Sequence, residues 1–126
     1  VHNFGNVRLV AHASRTSLSS LLTARQSIAT QLGDPALTPQ AVADAVGLSL
    51  RHQSRVFAAD GESITQTIWT ERLSRAHREL VDPRLRKTSV GEIAFRWGFS
   101  SHAHFSRAIR EGYGASPMAL REAARG

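Results

Sequence analysis

Gly47-Leu48-Ser49, with Ser54-Arg55-Val56-Phe57 following, and Gly98-Phe99-Ser100, with Phe105-Ser106-Arg107-Ala108-Ile109 following, are half-copies of one phrase. They stand about fifty residues apart. Each closes a helical pattern at its glycine, then opens a second helical pattern that carries a Ser-Arg pair. Helix, glycine turn, helix is the sequence form of a helix-turn-helix, whose second helix can enter a DNA major groove. Two of them in one short chain predict a protein that reads two successive turns of a duplex.

The remaining punctuation fits an all-α fold of seven helices: two helix-turn-helix subdomains joined by a long linker helix. From about Ser17, Leu21, Ala24, Ile28 and Leu32 recur at helical spacing until Gly33-Asp34-Pro35. Thr38-Pro39 restarts the helix as cap and first residue, with Val42, Ala45 and Val46 as its expected buried stripe. Ser63-x-x-Gln66 is a capping box. It opens a helix of about nineteen residues whose apolar positions are Ile64, Ile68, Trp69, Leu73, Ala76 and Leu80. Ser89-x-x-Glu92 is a second box, followed by the inner face Val90, Ile93, Ala94 and Trp97. Ser100 or Ser101 caps the next helix, and Ser116-Pro117 opens the last. The expected divisions are residues 1–16 as a linker or the tail of a preceding domain, 17–62 as the first subdomain, 63–82 as the linker helix, and 83–126 as the second subdomain.

A recognition helix must pack one face and offer the other to base edges. In the first, Leu50, Gln53, Val56 and Phe57 are expected inward, which leaves Arg51, Ser54, Arg55 and Ala58 outward. In the second, Phe105, Ala108 and Ile109 point in and Ala103, Ser106, Arg107 and Arg110 out. Arg can bond guanine O6 and N7 in bidentate fashion, and Ser can donate to or accept from several bases. Ser49 and Ser100 start their helices, where N-termini can meet phosphates. A helix of ~19 residues at ~1.5 Å per residue spans ~28 Å, close to the ~34 Å between successive major grooves. Because the copies run head-to-tail, the expected site is asymmetric.

Composition narrows the alternatives. At 126 residues the chain is one domain or two small helical subdomains, and it has no cysteine. Disulfides, thiolate metal sites and cysteine nucleophiles are therefore excluded. No apolar run approaches a membrane span and no signal peptide is visible, which favours the cytoplasm and, for a DNA binder, the nucleoid. The net charge is +6, distributed as about +2 over residues 1–37, −1 over 38–82 and +5 over 83–126. The second half thus supplies most of the attraction for a polyanion. His102-x-His104 invites a metal reading, but helical residues i and i+2 point about 200° apart, and no metal or cofactor is expected. No nucleophile elbow, phosphate loop or acid–base pair suggests an enzyme. The rival reading is a helical protein-interaction module with only nonspecific DNA affinity. The chain begins at Val1 rather than Met, so a fragment lacking an effector or dimerisation domain is expected.

From about Leu32 to Arg121 the chain resembles the DNA-binding domain of the AraC/XylS family of bacterial transcription regulators. The resemblance is carried by Ile93-Ala94-Phe95-Arg96-Trp97-Gly98-Phe99-Ser100, His104-Phe105-Ser106-Arg107 and Gly114-Ala115-Ser116-Pro117, and by the first-half stretch from Leu37-Thr38-Pro39 to Ser54-Arg55-Val56-Phe57. It implies seven helices, promoter DNA as partner, contact with RNA polymerase by activators, and a separate effector-binding or dimerising domain. Carried across by position, the base-reading candidates are Arg51, Ser54 and Arg55 in the first helix, and His102, Ala103, Ser106 and Arg107 in the second. Three residues depart from the family's pattern: Gln53 in place of Leu, Ile109 in place of Phe, and Leu120 in place of an aromatic residue. Gln53 is the consequential one, because it falls on a core face.

Overall fold

The computed structural model describes the backbone of residues 4–125 and the side chains of residues 18–125. Its helices are α1 (Phe4–Gln31), α2 (Pro39–Val46), α3 (Leu50–Ala59), α4 (Ile64–Leu80), α5 (Val90–Arg96), α6 (His102–Tyr113) and α7 (Pro117–Arg125), with a single 3-10 turn at Pro83–Leu85. Among the described residues there is no strand. The chain divides into two compact units, with the boundary between Thr67 and Ile68.

Local chemistry sets nearly every helix end. Thr38 Oγ1 accepts from the Ala41 amide at 3.1 Å, and Pro39 takes the first helical position of α2. Ser63 and Gln66 close the capping box in both directions. Gln66 N donates to Ser63 Oγ at 3.0 Å, and Ser63 N donates to Gln66 Oε1 at 2.9 Å. These bonds satisfy amides that a helix start leaves without partners. α4 stops at Leu80, two residues earlier than its sequence pattern suggests. Asp82 caps the 3-10 turn at Pro83 through the Arg84 amide, 2.9 Å away. Ser89 Oγ accepts from Glu92 N at 3.0 Å, and Ser116 Oγ from Ala119 N at 3.1 Å.

The largest boundary difference from the sequence reading is at the start of α1. α1 begins at Phe4, whereas the apolar periodicity starts near Ser17, so the helix runs through most of the stretch 1–16. Residues 1–3 of that stretch lie outside the described residues. Periodicity reports burial, whereas helix propagation needs only continued hydrogen bonding once a turn exists. No proline interrupts Phe4–Gln31.

In the first unit, α1 packs on α2 and α3; Leu21, Ala24 and Ile28 of α1 and Leu32 just beyond it are buried, as are Val42, Ala43, Val56 and Phe57. The stripe on α2 therefore runs through Val42 and Ala43. Ala45 is exposed and Val46 half-buried, which corrects the expected set. α2 packs on both α1 and α3, so its buried face is wider than a single-partner stripe and turns toward Ala43. Arg25 reaches across to Asp60 at 2.9 Å, with its guanidinium 5.7 Å from the Phe57 ring centroid.

Gln53 lies fully inside this core. Its Nε2 donates to the Pro39 carbonyl at 3.0 Å, whereas its Oε1 is buried with no partner. An unsatisfied buried amide oxygen costs about 1–3 kcal/mol, and the single bond returns about 1. Gln53→Leu, of similar volume, is therefore expected to stabilise the protein by about 1 kcal/mol. Urea unfolding measures this directly, and a destabilisation would show that the Pro39 bond outweighs the orphaned oxygen.

In the second unit the core is Ala76, Leu80, Val90, Ile93, Ala94, Phe99, Phe105 and Ile109, with Trp69, Leu73, Trp97, Ala108 and Leu120 packed against it. Phe99 is central: Trp69 and Phe105 meet it edge-on at centroid distances of 5.2 and 5.1 Å. Ile109 and Leu120, two of the departures from the family pattern, keep their positions apolar here. Glu79 fastens α4 to α5. It accepts from Arg96 at 2.9 Å through both oxygens and from Trp97 Nε1 at 2.8 Å.

Candidate nucleic-acid interface

The two turns are built alike. Gly47 has φ 74° and Gly98 φ 90°, a left-handed conformation that costs an L side chain about 1–2 kcal/mol. In each, the residue after the glycine reaches five positions back: Leu48 N donates to Ala43 O at 3.0 Å, and Phe99 N to Ala94 O at 2.9 Å. These are the bonds of a Schellman motif, which turns the chain sharply and satisfies the end of the preceding helix. The same geometry thus launches α3 and α6.

Beyond the glycine the turns differ by one residue. Ser49 caps α3, its Oγ accepting from His52 N at 3.1 Å. α6 is capped by Ser101, whose Oγ accepts from His104 N at 3.2 Å. Ser100 is exposed and does not cap. The helix-start position expected at Ser100 or Ser101 therefore belongs to Ser101. Counted from the caps, Ser54 and Arg55 correspond to Ser106 and Arg107, Arg51 to Ala103, and Gln53 to Phe105. That register explains why Gln53 is buried: it occupies the place that a phenylalanine fills in the second unit.

The outward faces follow. On α3, Arg51, Ser54, Arg55 and Ala58 are exposed above buried Gln53, Val56 and Phe57. Leu50, expected inward, is 37% exposed, because it sits in the first turn of the helix where the core has already ended. On α6, Ala103, Arg107 and Arg110 are exposed above buried Phe105 and Ile109, while Ser106 and Ala108 are half-buried. Ser106 Oγ lies 3.4 Å from His102 Nδ1, one helical turn earlier, which fixes both side chains on the same outer face. Among the described residues no carboxylate forms an ion pair with Arg51, Arg55, Arg107 or Arg110. Their guanidinium groups are available for base edges or phosphates.

His104 behaves differently from His102. Its side chain is exposed, and its ring packs edge-on against Phe99 at a centroid distance of 5.5 Å. Among the described residues no group of three or more His, Asp or Glu side chains could hold a metal ion. No described helix is long and apolar enough to cross a membrane.

Sequence reasoning missed two groups that shape the second unit. Arg121 is buried, with its guanidinium on three backbone carbonyls: Leu80 at 3.1 Å, Thr88 at 2.7 Å and Leu85 at 3.3 Å. It moors α7 to the end of α4 and to the segment that leads into α5. Arg72 is also buried, with its guanidinium 4.9 Å from the Trp69 ring centroid and against the Gly98 turn. Their positions at helical spacing from apolar residues are the available signal, and that signal equally describes solvated arginines.

A family model described as a helix-turn-helix domain matches residues 42–123. The chain is 33% identical over 102 residues to the transcriptional activator NphR of a Rhodococcus species, which covers 81% of this chain and 30% of that protein. It is 36% identical over 107 residues to the HTH-type transcriptional regulator GlxA of Rhizobium meliloti, covering 84% of this chain and 32% of that one. The chain thus spans about a third of the length of these relatives. Among solved structures, a transcriptional regulator from Chromobacterium violaceum with an AraC-type DNA-binding domain matches with a TM-score of 0.78 at 27% identity, covering 87% of this chain and 96% of that one. The C-terminal domain of AraT, a response regulator from Geobacillus stearothermophilus, matches with a TM-score of 0.70 at 27% identity, covering 82% and 84%. NphR, GlxA and the Chromobacterium violaceum protein are regulators of transcription.

Proposed function

The chain belongs to the AraC-type family of helix-turn-helix DNA-binding domains of bacterial transcription regulators, and from that premise we propose that it reads an asymmetric promoter site with both α3 and α6. Each helix enters one of two successive major grooves. Arg51, Ser54 and Arg55 read one patch of bases, and His102, Ala103, Ser106 and Arg107 the other. Ala103 offers no hydrogen bond, so its share of recognition is a thymine methyl. Ser49 and the start of α6 at Ser100 and Ser101 meet phosphates, and Arg110 adds charge at the groove edge.

The observation that carries this reading is the repeated Ser-Arg pair, placed at the same count from a serine cap, on the outer face of a helix launched by the same glycine turn. An interaction module would need one such face and no matched register. Bound at a promoter in the cytoplasm, such a domain stands beside RNA polymerase, and the remainder of a longer regulator supplies effector sensing or dimerisation.

Selection from a random duplex library, followed by binding of the enriched pool across a salt series, tests the proposal. The expected result is an enriched asymmetric site with two patches about one helical turn apart and affinity that falls steeply with salt. Enrichment of a single patch would limit base reading to one helix. Weak salt-sensitive binding without enrichment would leave the interaction-module reading in its place.

A further inference from the structure

The second unit holds a cavity of about 640 Å³ that neither recognition helix lines. It lies between the end of α4, the loop from Asp82 to Lys87, and α7. Four cations border it: Arg86, Lys87, Arg121 and Arg125. Asp82 is the acidic residue on its wall, and that carboxylate is already engaged. Its Oδ1 accepts from Arg84 Nε at 3.1 Å and its Oδ2 from Arg84 NH2 at 2.9 Å. These side-chain bonds, joined by the one from the Arg84 amide, hold the Asp82 carboxyl below the ordinary carboxylate range. Asp82 is therefore committed to Arg84 rather than to the four cations that border the cavity.

Arg121 makes the imbalance more consequential, because it is 5% exposed and all its hydrogen-bond partners here are neutral carbonyls. Carbonyls solvate a guanidinium without cancelling its charge, and a buried charge is costly without a counter-ion. Three of its five N–H groups are used in these bonds. Arg125 has a 3.6 Å pairing with Glu122, a surface contact between neighbouring turns that contributes little. Among the described residues no carboxylate pairs with Arg86 or Lys87. The floor is apolar, from Leu80, Pro83 and Ala124.

We propose that this cavity binds a phosphate monoester group, with Arg86, Lys87 and Arg125 closing on the oxyanion, Arg121 as the fixed positive charge behind it, and the apolar floor taking the body of the ester. A phosphate monoester carries about −1.5 to −2 charges near neutrality and three acceptor oxygens. It matches a cluster of several cations better than a carboxylate does, and arginine forks suit its geometry. The group arrives on a free small molecule; a DNA backbone phosphate, a diester with one charge and two free oxygens, matches the cluster less well and is the competing source in the test. The site is independent of base reading by α3 and α6.

Amide NMR titration of the chain with phenyl phosphate, inorganic phosphate and a short mixed-sequence duplex tests it. Phenyl phosphate is expected to move the amides of residues 82–88 and 121–125 saturably, more tightly than inorganic phosphate. The double variant Arg86→Gln, Lys87→Gln, both exposed, should weaken binding about tenfold or more, the loss of charge-assisted hydrogen bonds. If the duplex moves the same amides and phenyl phosphate displaces it, the oxyanion comes from DNA. If the duplex leaves them unmoved, the ligand is a free phosphate ester. Absence of shifts there, or equal shifts around Arg51, Arg55 and Arg107, would overturn the site and show only general attraction of anions.

Discussion

Arg121→Met is expected to destabilise the second unit by about 3 kcal/mol, read as a lower urea midpoint at unchanged slope. Methionine keeps the apolar stem but removes the bonds to the carbonyls of Leu80, Leu85 and Thr88. A hydrogen bond to a charged group contributes about 1.5–3 kcal/mol, and three that share one side chain do not add in full. Part of the loss is offset, because removing the guanidinium also removes the cost of burying its charge. Arg121→Lys should recover less than half of the stability, since one ammonium cannot span three carbonyls with the geometry of a planar fork. The functional consequence is on DNA. These carbonyls belong to the end of α4 and to the segment that delivers Ser89 to α5, so the variant should weaken binding through the second unit even at temperatures where it remains folded. A loss below about 1 kcal/mol would show that the three bonds merely replace water.

The residues that were legible in the sequence share a physical property: their partners lie within a turn or two of chain. Thr38, Ser49, Ser63 and Ser116 cap amides three positions away, and Gly47 and Gly98 adopt backbone angles that few other residues tolerate. The buried faces of α1, α3, α5 and α6 follow from periodicity for the same reason, Leu50 on α3 excepted. Arg121 was illegible because its three acceptors are 33–41 residues away and are backbone carbonyls, which every residue carries. Ala43 and Ala45 both fit a helical stripe with Val42, and only the directions of α1 and α3 decide between them. Ser100 and Ser101 are adjacent, identical and both able to cap. The choice depends on a turn one residue longer than its counterpart after Gly47. Gln53 is legible as a polar residue on a core face, and the alignment of the two caps, which matches it to Phe105, explains its burial. The base-reading assignment of α3 and α6 rests on exposure and on the repeated register.

Arg107→Ala is expected to weaken binding to the selected site by about 10- to 100-fold, or roughly 1–3 kcal/mol, and to relax preference at one or two base pairs. Arg107 is exposed one position beyond Ser106, on the face opposite Phe105 and Ile109, so truncation should leave the fold intact. Arg55→Ala, its counterpart on α3, should relax a different patch of the same site. Arg55 and Arg107 belong to different compact units, and mutations without shared partners usually combine additively. The double variant should therefore lose the product of the two factors and bind nearly as weakly as to unrelated duplex. Competition across single-base variants of the site gives the positions, and a salt series separates the two kinds of contact. A base contact changes discrimination with little change in salt slope, whereas a phosphate contact weakens all sequences alike and lowers the slope by about one. If Arg107→Ala weakens every sequence equally while Arg55→Ala relaxes specificity, reading belongs to the first unit and the second is an electrostatic clamp. That outcome would fit the charge of residues 83–126, about +5, and would restrict base recognition to Arg51, Ser54 and Arg55.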